Sequence, residues 1–271
     1  MLPTDFAFNQ QNLQDFEDCY RRFHLRYVEH LEWPAIESEP VLIQERLMEL
    51  GQTFHTMVQQ SLSGVPADVI RAGIHDEQLE RWWRNFESFD LDLSNKTFLV
   101  EELISVPLAD FRLVAKFDLF TIDENHNILI YDWKTSQKPP IRKNLLAKTQ
   151  SKVYPFVAVR SSAALTHSDP VGPEKVKMIY WFPEFPEDAV ELDYSASQYE
   201  KAGQSFTDTI NEINTLEGRE AFPKTEDRKR CAYCAFRSFC GRGDTPGSND
   251  EDALPISSAS DEAFDINFDS F

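Results

Sequence analysis

The sequence predicts an α/β fold, in which a central β-sheet is flanked by helices and preceded by a helical N-terminal part. Three observations support this class. Aromatic residues near the N terminus recur at three- and four-residue spacing, which is typical of helices. Residues 96–135 are instead rich in β-forming residues. After residue 142 the pattern alternates between helix and strand, which indicates strands connected by helices.

Three helices are predicted before the first strand. The first spans residues 10–32, where four aromatic residues recur on one face. The second spans residues 40–62, and Gly64 and Pro66 follow its end as stop signals. The third spans residues 67–89.

Two long strand regions, a helix, two short strands and a last helix are predicted next. Their ranges are 96–108, 110–135, 143–159, 177–183, 188–194 and 195–218. A polar turn at residues 123–127 divides the second range into the two strands of a hairpin. Ser195 is a favourable N-cap for the last helix.

Length and composition bound the class of protein. The chain has 271 residues, of which 41% are hydrophobic and 13% aromatic, so most of it is expected to form one large domain or two small ones. No apolar run approaches the roughly 18 residues of a membrane-spanning helix. The first residues lack the basic-then-apolar order of a secretion signal. We therefore expect a soluble cytoplasmic protein without a membrane partner.

The formal net charge of −19 is distributed unevenly along the chain. Residues 243–271 contain eight acidic residues and no basic one, whereas residues 134–160 contain seven basic residues and no acidic one. Local charge decides what a groove attracts, so the net charge does not exclude a nucleic-acid partner. The composition of residues 243–271 predicts a disordered acidic tail, which would keep the protein soluble, dock onto a partner or compete with nucleic acid for the basic region.

An acid and a base interrupt the apolar strand "ILIYDWKTSQK", residues 128–138. If residues 123–127 form the hairpin turn, Asp118 lies directly opposite Asp132, with β-carbons about 4.5–5.5 Å apart. Two facing carboxylates repel each other, and a divalent metal between them would remove the repulsion. Lys134 has the same strand parity as Asp132 and shares its face. The alternative is a surface hairpin with an ordinary Asp–Lys pair.

Other polar residues extend this pattern, although each of them alone is typical of ordinary structure. Glu102, on the preceding strand, is the candidate for a third carboxylate, and Glu101 is expected to point to the opposite face. His55 lies on the second helix, where Gly51 one turn earlier permits close approach of another backbone. Gln150 and Tyr154, four residues apart, share a face of the helix that follows the hairpin.

The succession Gly51–His55, Glu102, Asp118, Asp132–Lys134 and Gln150–Tyr154 resembles the RecB-like branch of the PD-(D/E)XK nuclease superfamily. The resemblance implies a restriction-endonuclease-like core with a mixed sheet, within a domain spanning residues 1–242. Two departures are Ala115, where the family often has glycine, and Lys116 on the active face.

The resemblance also implies the roles of the site residues. Asp118, Asp132 and His55 would bind magnesium or manganese, and Glu102 would support the metal or an ordered water. Lys134 would position or deprotonate the attacking water, and Gln150 and Tyr154 would shape the substrate side. The implied activity is metal-dependent hydrolysis of DNA phosphodiester bonds, exonucleolytic more than endonucleolytic, in repair or recombination. The alternative is a DNA-binding scaffold that has lost catalysis.

Four cysteines, Cys19, Cys231, Cys234 and Cys240, are the only ones in the chain. Three fall in "CAYCAFRSFC", and their clustering in a chain without a secretion signal predicts a ligand set more than a disulfide scaffold. The C-x2-C pair alone fits zinc, an iron–sulfur group or a redox function, and Cys19 is the remaining candidate for a fourth thiolate.

The cysteine arrangement is similar to that of the iron–sulfur subgroup of RecB-like nucleases, which includes CRISPR-adaptation and AddB-type nuclease domains. The resemblance implies a 4Fe–4S cluster that joins the two ends of the domain. Zinc is the less favoured alternative, with His24 in place of one thiolate. It also implies DNA that is single-stranded or has free ends as the partner. A helicase or single-strand-binding protein is a further expected partner, which the acidic tail would contact.

Overall fold

The computed structural model describes residues 2–32 and 39–243. Apart from Gly243, the predicted acidic tail lies outside the described residues. Within them, no helix is long and apolar enough to cross a membrane.

Eight α-helices are found in the described part of the chain. They are α1 Gln10–Asp18, α2 Tyr20–Phe23, α3 Glu39–Leu62, α4 Ala67–Ala72, α5 Glu77–Glu87, α6 Arg142–Ala147, α7 Gln150–Thr166 and α8 Ala196–Thr215. A π-helical turn, His24–Val28, follows α2. The side chain of Ser195 caps α8, as predicted.

Three predicted helices are each divided in the structure. The first is broken at Cys19, whose extended backbone separates α1 from α2. The third divides at Gly73 into α4 and α5. Asp76 caps the start of α5, because its side chain accepts hydrogen bonds from two backbone N–H groups of that helix. The helix predicted at residues 143–159 divides at Lys148, which is extended between α6 and α7.

Six strands form one mixed sheet. They are β1 Ala7–Phe8, β2 Thr97–Leu108, β3 Phe111–Ile122, β4 Ile128–Trp133, β5 Val176–Trp181 and β6 Val190–Asp193. β3 pairs antiparallel with β2 along its length, in parallel with β1 near its start and antiparallel with β4 near its end. β4 and β5 are parallel and are connected through α6 and α7, and β6 pairs antiparallel with β5. The predicted α/β class with a central mixed sheet is confirmed.

Two hydrophobic clusters pack on opposite faces of the sheet. The first contains Phe120 and Ile130 and includes apolar side chains of α1, α7 and α8. The second contains Tyr131 and Trp133, with side chains of α3 and α5, and alternation along β4 accounts for the separation. Tyr131 and Trp133 therefore face a hydrophobic core on the side of the sheet opposite Phe120 and Ile130.

Candidate active site

The two charged residues that end β4 are buried. Asp132 and Lys134 are each 2% exposed, and Lys134 Nζ lies 3.0 Å from Asp132 Oδ2. The surface-hairpin alternative is therefore wrong. A buried ion pair costs desolvation free energy that its own attraction repays only in part, so a pair in this position indicates a function other than stability.

Asp118 lies where the β3–β4 ladder ends. The register runs from Ile122 opposite Ile128 to Leu119 opposite Tyr131, as the hairpin prediction requires. At the next position the backbone N–H of Trp133 donates to Asp118 Oδ2 over 2.8 Å. Asp118 Oδ2 thus takes the place of a backbone carbonyl as the acceptor for Trp133, and Asp118 Oδ1 is directed toward His55.

His55 joins α3 to this end of the sheet. Its Nε2 donates to the Trp133 carbonyl over 2.9 Å, and its Nδ1 lies 3.5 Å from Asp118 Oδ1. Burial alone would lower the pKa of His55, but the Asp118 and Glu101 carboxylates raise this pKa to about 10. A cation bound at Nδ1 would replace that proton, because a ligating imidazole is neutral.

Glu101, and not Glu102, supplies the third carboxylate. Glu101 Oε1 lies 3.8 Å from His55 Nδ1 and Oε2 lies 2.8 Å from Lys116 Nζ, whereas Glu102 is exposed. The expectation that Glu101 faces away from the site is wrong because Glu101 adopts a left-handed backbone, with φ of +53°. Simple alternation along β2 cannot anticipate such a residue. A non-glycine residue in this conformation is strained, and such strain is often found at functional sites.

His55, Glu101 and Asp118 form a group that fits a divalent cation. One ligand atom from each lies within 4.8 Å of the others, and among the described residues this is the one such group of histidine, cysteine and acidic side chains. Among the described residues His55 Nδ1 has no hydrogen-bond partner, and this buried atom faces the two carboxylates. Two carboxylates with one imidazole suit magnesium or manganese.

Gln150 and Tyr154 extend the site along α7. Gln150 is buried, and its Nε2 donates to Asp132 Oδ1 over 2.6 Å. Tyr154 is buried with its ring 5.0 Å from that of Phe117. Burial raises the pKa of Tyr154 well above its usual value, and the Asp132 carboxylate acts in the same direction, so the phenol stays protonated.

Gly51 permits another segment to approach α3 closely, as predicted, but the approaching group is a side chain and not a backbone. A β-carbon at Gly51 would lie 2.7 Å from Thr135 Oγ1. Thr135 directly follows Lys134, so α3 contacts the segment that leaves the site. Sequence reasoning does not identify Thr135, because a threonine after a lysine carries no distinctive signal.

The four cysteines line one pocket between the two ends of the described chain. The pocket, called here the cysteine pocket, is lined by Cys19, Arg22, Lys224, Thr225, Arg230, Cys231, Cys234, Phe236, Arg237, Cys240 and Arg242. Burial raises the pKa of Cys234 to about 11 and raises the pKa values of Cys231 and Cys240. His24 does not line this pocket; its Nδ1 lies 3.1 Å from Glu29 Oε1 instead.

Two solved structures are similar to the chain at low sequence identity. The protein SSO0001 is 15% identical to it, with 87% of this chain and 86% of that chain covered and a TM-score of 0.41. A protein from Eubacterium rectale named as a candidate exonuclease is 12% identical, with 77% and 80% covered and a TM-score of 0.46. Similarities at this level establish no shared function. A comparison with curated protein sequences found no match.

A family model gives the decisive match. The model described as "PD-(D/E)XK nuclease superfamily" matches residues 7–241, which include the buried residues His55, Asp118, Asp132 and Lys134. The match covers most of the chain and ends just after Cys240, the last of the four cysteines. The chain therefore belongs to the PD-(D/E)XK nuclease superfamily.

Proposed function

We propose that the chain is a metal-dependent deoxyribonuclease that hydrolyses phosphodiester bonds in single-stranded DNA or at DNA ends. The observation that carries the proposal is the buried convergence of Asp118, Asp132 and Lys134 beside the cation-sized group of ligand atoms. Buried charges of both signs at one strand end are costly, and they are typical of catalytic sites.

His55, Glu101 and Asp118 would hold the magnesium or manganese ion. Such an ion acidifies bound water and offsets negative charge that develops on the phosphate. Asp132 is not one of these three residues, and its two oxygens contact Lys134 and Gln150 in this arrangement. Its role as a metal ligand stays a prediction. These contacts suit a carboxylate that also orients the lysine.

Lys134 would act on the attacking water and on the phosphate. Its ammonium group is held by Asp132 and lies 5.9 Å from the centre of the Tyr180 ring. A cation in this position stabilises charge on the phosphate oxygens, and in its neutral form it accepts a proton from water. Tyr154, with its pKa raised by burial, would keep a neutral hydroxyl beside the two aspartates.

The segment between Lys134 and Gln150 offers a surface for DNA. It leaves the site at one end of β4 and returns to it at the start of α7, and it contains no acidic residue. Lys138 and Lys143 are exposed on it, and Ile141 and Leu146 are 59% and 43% exposed. Lysines attract phosphates, and exposed apolar side chains pack against unstacked bases, so the surface suits single strands.

The cysteine pocket would hold a 4Fe–4S cluster. All four thiols line it, together with five basic side chains, whose positive charge would offset the negative charge of a cluster bound by thiolates. Zinc, the less favoured occupant, would use the same thiolates.

A cleavage assay tests the proposed activity. The purified protein is incubated with labelled single- and double-stranded DNA in magnesium or manganese, beside Asp132→Ala. We expect cleavage by the wild type and none by the variant. Equal cleavage by both would assign the activity to a contaminant and would overturn the proposal.

The second candidate function is a DNA-binding scaffold without catalysis. The observation that favours it is the ion pair between Lys116 and Glu101, which places an ammonium group at a metal-binding carboxylate. DNA binding without cleavage, by both the wild type and Asp132→Ala, would support the scaffold. Lys116→Ala then distinguishes a metal site that the Lys116 ammonium occupies from a site that cannot bind metal at all. Removal of the ammonium would restore metal binding only in the first case.

Exonucleolytic action and a role in repair or recombination are further parts of the proposal, and they rest on the family resemblance. A circular single strand tests the first of them, because an exonuclease spares circles and degrades linear strands of the same sequence. The helicase or single-strand-binding partner and its contact with the acidic tail also stay proposals. Deletion of residues 244–271 would abolish capture of such a partner if the tail is the contact.

A further inference from the structure

We propose that a chain of hydrogen bonds and ion pairs, joined through the peptide bond between Thr149 and Gln150, connects the cysteine pocket to Asp132, and that Gln14 and Thr149 within it are positioning residues for cleavage. The inference rests on the proposed function. From the active site to the pocket, the chain runs through Asp132, Gln150, Thr149, Gln14, Asp18 and Arg230.

The active-site end of the chain is the contact between Gln150 and Asp132. Gln150 Nε2 donates to Asp132 Oδ1 over 2.6 Å, and the other oxygen of Asp132 faces Lys134 Nζ. Gln150 is the first residue of α7, and its side chain is buried. The position of the Asp132 carboxylate, and with it that of Lys134, therefore depends on where α7 begins.

The middle of the chain attaches the start of α7 to α1. Thr149 is 0% exposed, and its hydroxyl donates to Gln14 Oε1 over 2.8 Å. The Thr149 backbone N–H reaches the same oxygen at 3.3 Å, and Glu17 Oε2 lies 3.1 Å from the hydroxyl. A buried hydroxyl that loses its acceptor costs free energy, so α7 and α1 are expected to move together here.

The pocket end of the chain is formed by Asp18. Gln14 Nε2 donates to Asp18 Oδ1 over 2.9 Å, and Asp18 is paired with both Arg22 and Arg230. Both arginines line the cysteine pocket, and Asp18 directly precedes Cys19. A negatively charged group bound by the cysteines would attract the same two guanidinium groups, so the contents of the pocket act on Asp18.

The consequence is that an intact cysteine pocket keeps Asp132 and Lys134 in their reactive positions. The cation group depends less on this chain, because His55, Glu101 and Asp118 come from α3, β2 and β3. Damage to the pocket should thus lower the turnover number while DNA and metal still bind.

Thr149→Val removes the hydroxyl and keeps the shape of the side chain, and Thr149→Ser keeps the hydroxyl. At saturating manganese we expect Thr149→Val to lower kcat for linear single-stranded DNA at least tenfold, with KM within twofold, and Thr149→Ser to restore kcat. Thr166→Val is the matched control, since its hydroxyl bonds the Ser162 carbonyl at the other end of α7. The positioning role is overturned if Thr149→Val keeps kcat within twofold, or if Thr149→Ser or Thr166→Val is equally impaired.

A double-mutant cycle tests the continuity of the chain. Gln14→Met and Arg230→Gln should each lower kcat. The kcat of the double variant should be no lower than that of the less active single variant, because both changes break the same path. Multiplicative losses would show independent effects and overturn the path. Arg219→Gln is the control, because Arg219 pairs with Glu29 in another contact between the two chain ends.

A reverse measurement does not depend on cleavage. Thr149 holds Gln14, which in turn contacts Asp18 next to Cys19, so loosening the chain at Thr149 should expose the cysteine pocket. We expect a disulfide reagent to modify the cysteines of the protein as purified at least threefold faster in Thr149→Val than in Thr166→Val. Equal rates would overturn the coupling even if the wild type cleaves no DNA, whereas absence of cleavage with unequal rates would overturn only the proposed nuclease activity.

Discussion

The carboxylate site, formed by His55, Glu101, Asp118, Asp132 and Lys134, lies on regular elements in the middle of the fold, whereas the cysteine pocket lies between chain segments more than two hundred residues apart. Backbone ladders and a 24-residue helix set the spacing in the site. Short turns, with no ladder across them, set the spacing in the pocket.

This difference indicates where each site obtains its geometry. Ladder hydrogen bonds hold strand residues at defined separations, so the carboxylates are pre-arranged by the fold. The arrangement of the cysteines depends on ion pairs between chain ends and, in the proposed function, on the group that they would bind. Binding free energy in such a site is also folding free energy. We therefore expect substitutions in the carboxylate site to remove activity first and substitutions in the pocket to remove stability first.

The largest expected effect is that of Asp118→Asn. The variant loses the charge that faces His55, while its amide oxygen still accepts from Trp133. We expect cleavage to fall by about 10³-fold, comparable to the loss of a strong electrostatic stabiliser, with little change in the melting temperature. Single-turnover cleavage and thermal unfolding measure both. Asp110→Asn, at an exposed turn, is the control, and a large loss of stability in Asp118→Asn alone would remove the contrast between the two regions.

The adjacent pair Glu101 and Glu102 sharpens the description of the carboxylate site. Glu101→Gln should weaken manganese binding by about 10–100-fold, as loss of a supporting group around a metal does, because one of the three ligand side chains loses its charge. Glu102→Gln should leave the affinity within twofold, since Glu102 is exposed. Calorimetric titration measures both affinities. A larger loss of manganese affinity in Glu102→Gln than in Glu101→Gln would show that Glu101 leaves its left-handed conformation when metal binds.

Cys234→Ala tests the pocket side of the comparison. We expect colourless protein whose free energy of unfolding is lower by about 2–4 kcal/mol, the usual contribution of a covalent cross-link. Visible absorbance and urea unfolding measure the two changes, with Tyr233→Ala at the exposed neighbouring position as the control. A coloured wild type and a bleached variant of unchanged stability would contradict the structural role of the pocket.

Gly51→Ala tests how tightly α3 is packed against the segment that leaves the site. The new β-carbon would lie 2.7 Å from Thr135 Oγ1, and such overpacking costs about 1–3 kcal/mol, offset by about 1 kcal/mol of helix propensity. We expect reduced stability and reduced cleavage. The double variant Gly51→Ala/Thr135→Ala should recover both, since Thr135 Oγ1 has no hydrogen-bond partner in the described part of the chain. Failure of this rescue would show that the contact is not the cause.

The smallest effect is expected on the DNA surface. Lys138→Gln and Lys143→Gln should each weaken binding of single-stranded DNA and reduce the slope of log affinity against log salt concentration by about 1. Fluorescence anisotropy over a salt series measures the slope. Lys201→Gln, at an exposed position on α8, should leave it unchanged. Equal slopes for all three variants would place the DNA elsewhere.

Much of the carboxylate site could be predicted because strand pairing follows simple rules. One polar turn at residues 123–127 implies the register that places Asp118 opposite Asp132, and the observed ladder has that register. The prediction failed at Glu101, because the left-handed backbone that turns it toward His55 is a tertiary effect. The breaks at Cys19 and Lys148 were missed for a similar reason, since hydrophobic spacing continues through both residues.

The sequence by itself determined the α/β class, the hairpin register and the residue types that carry the chemistry, because periodicity and turn composition are local properties. Only the tertiary structure decided which glutamate joins His55, that Asp132 and Lys134 are buried, and that Thr149 connects α7 to α1. These features depend on contacts between residues far apart in the chain. Packing and buried hydrogen bonds select among local alternatives of similar free energy, and local patterns do not contain that selection.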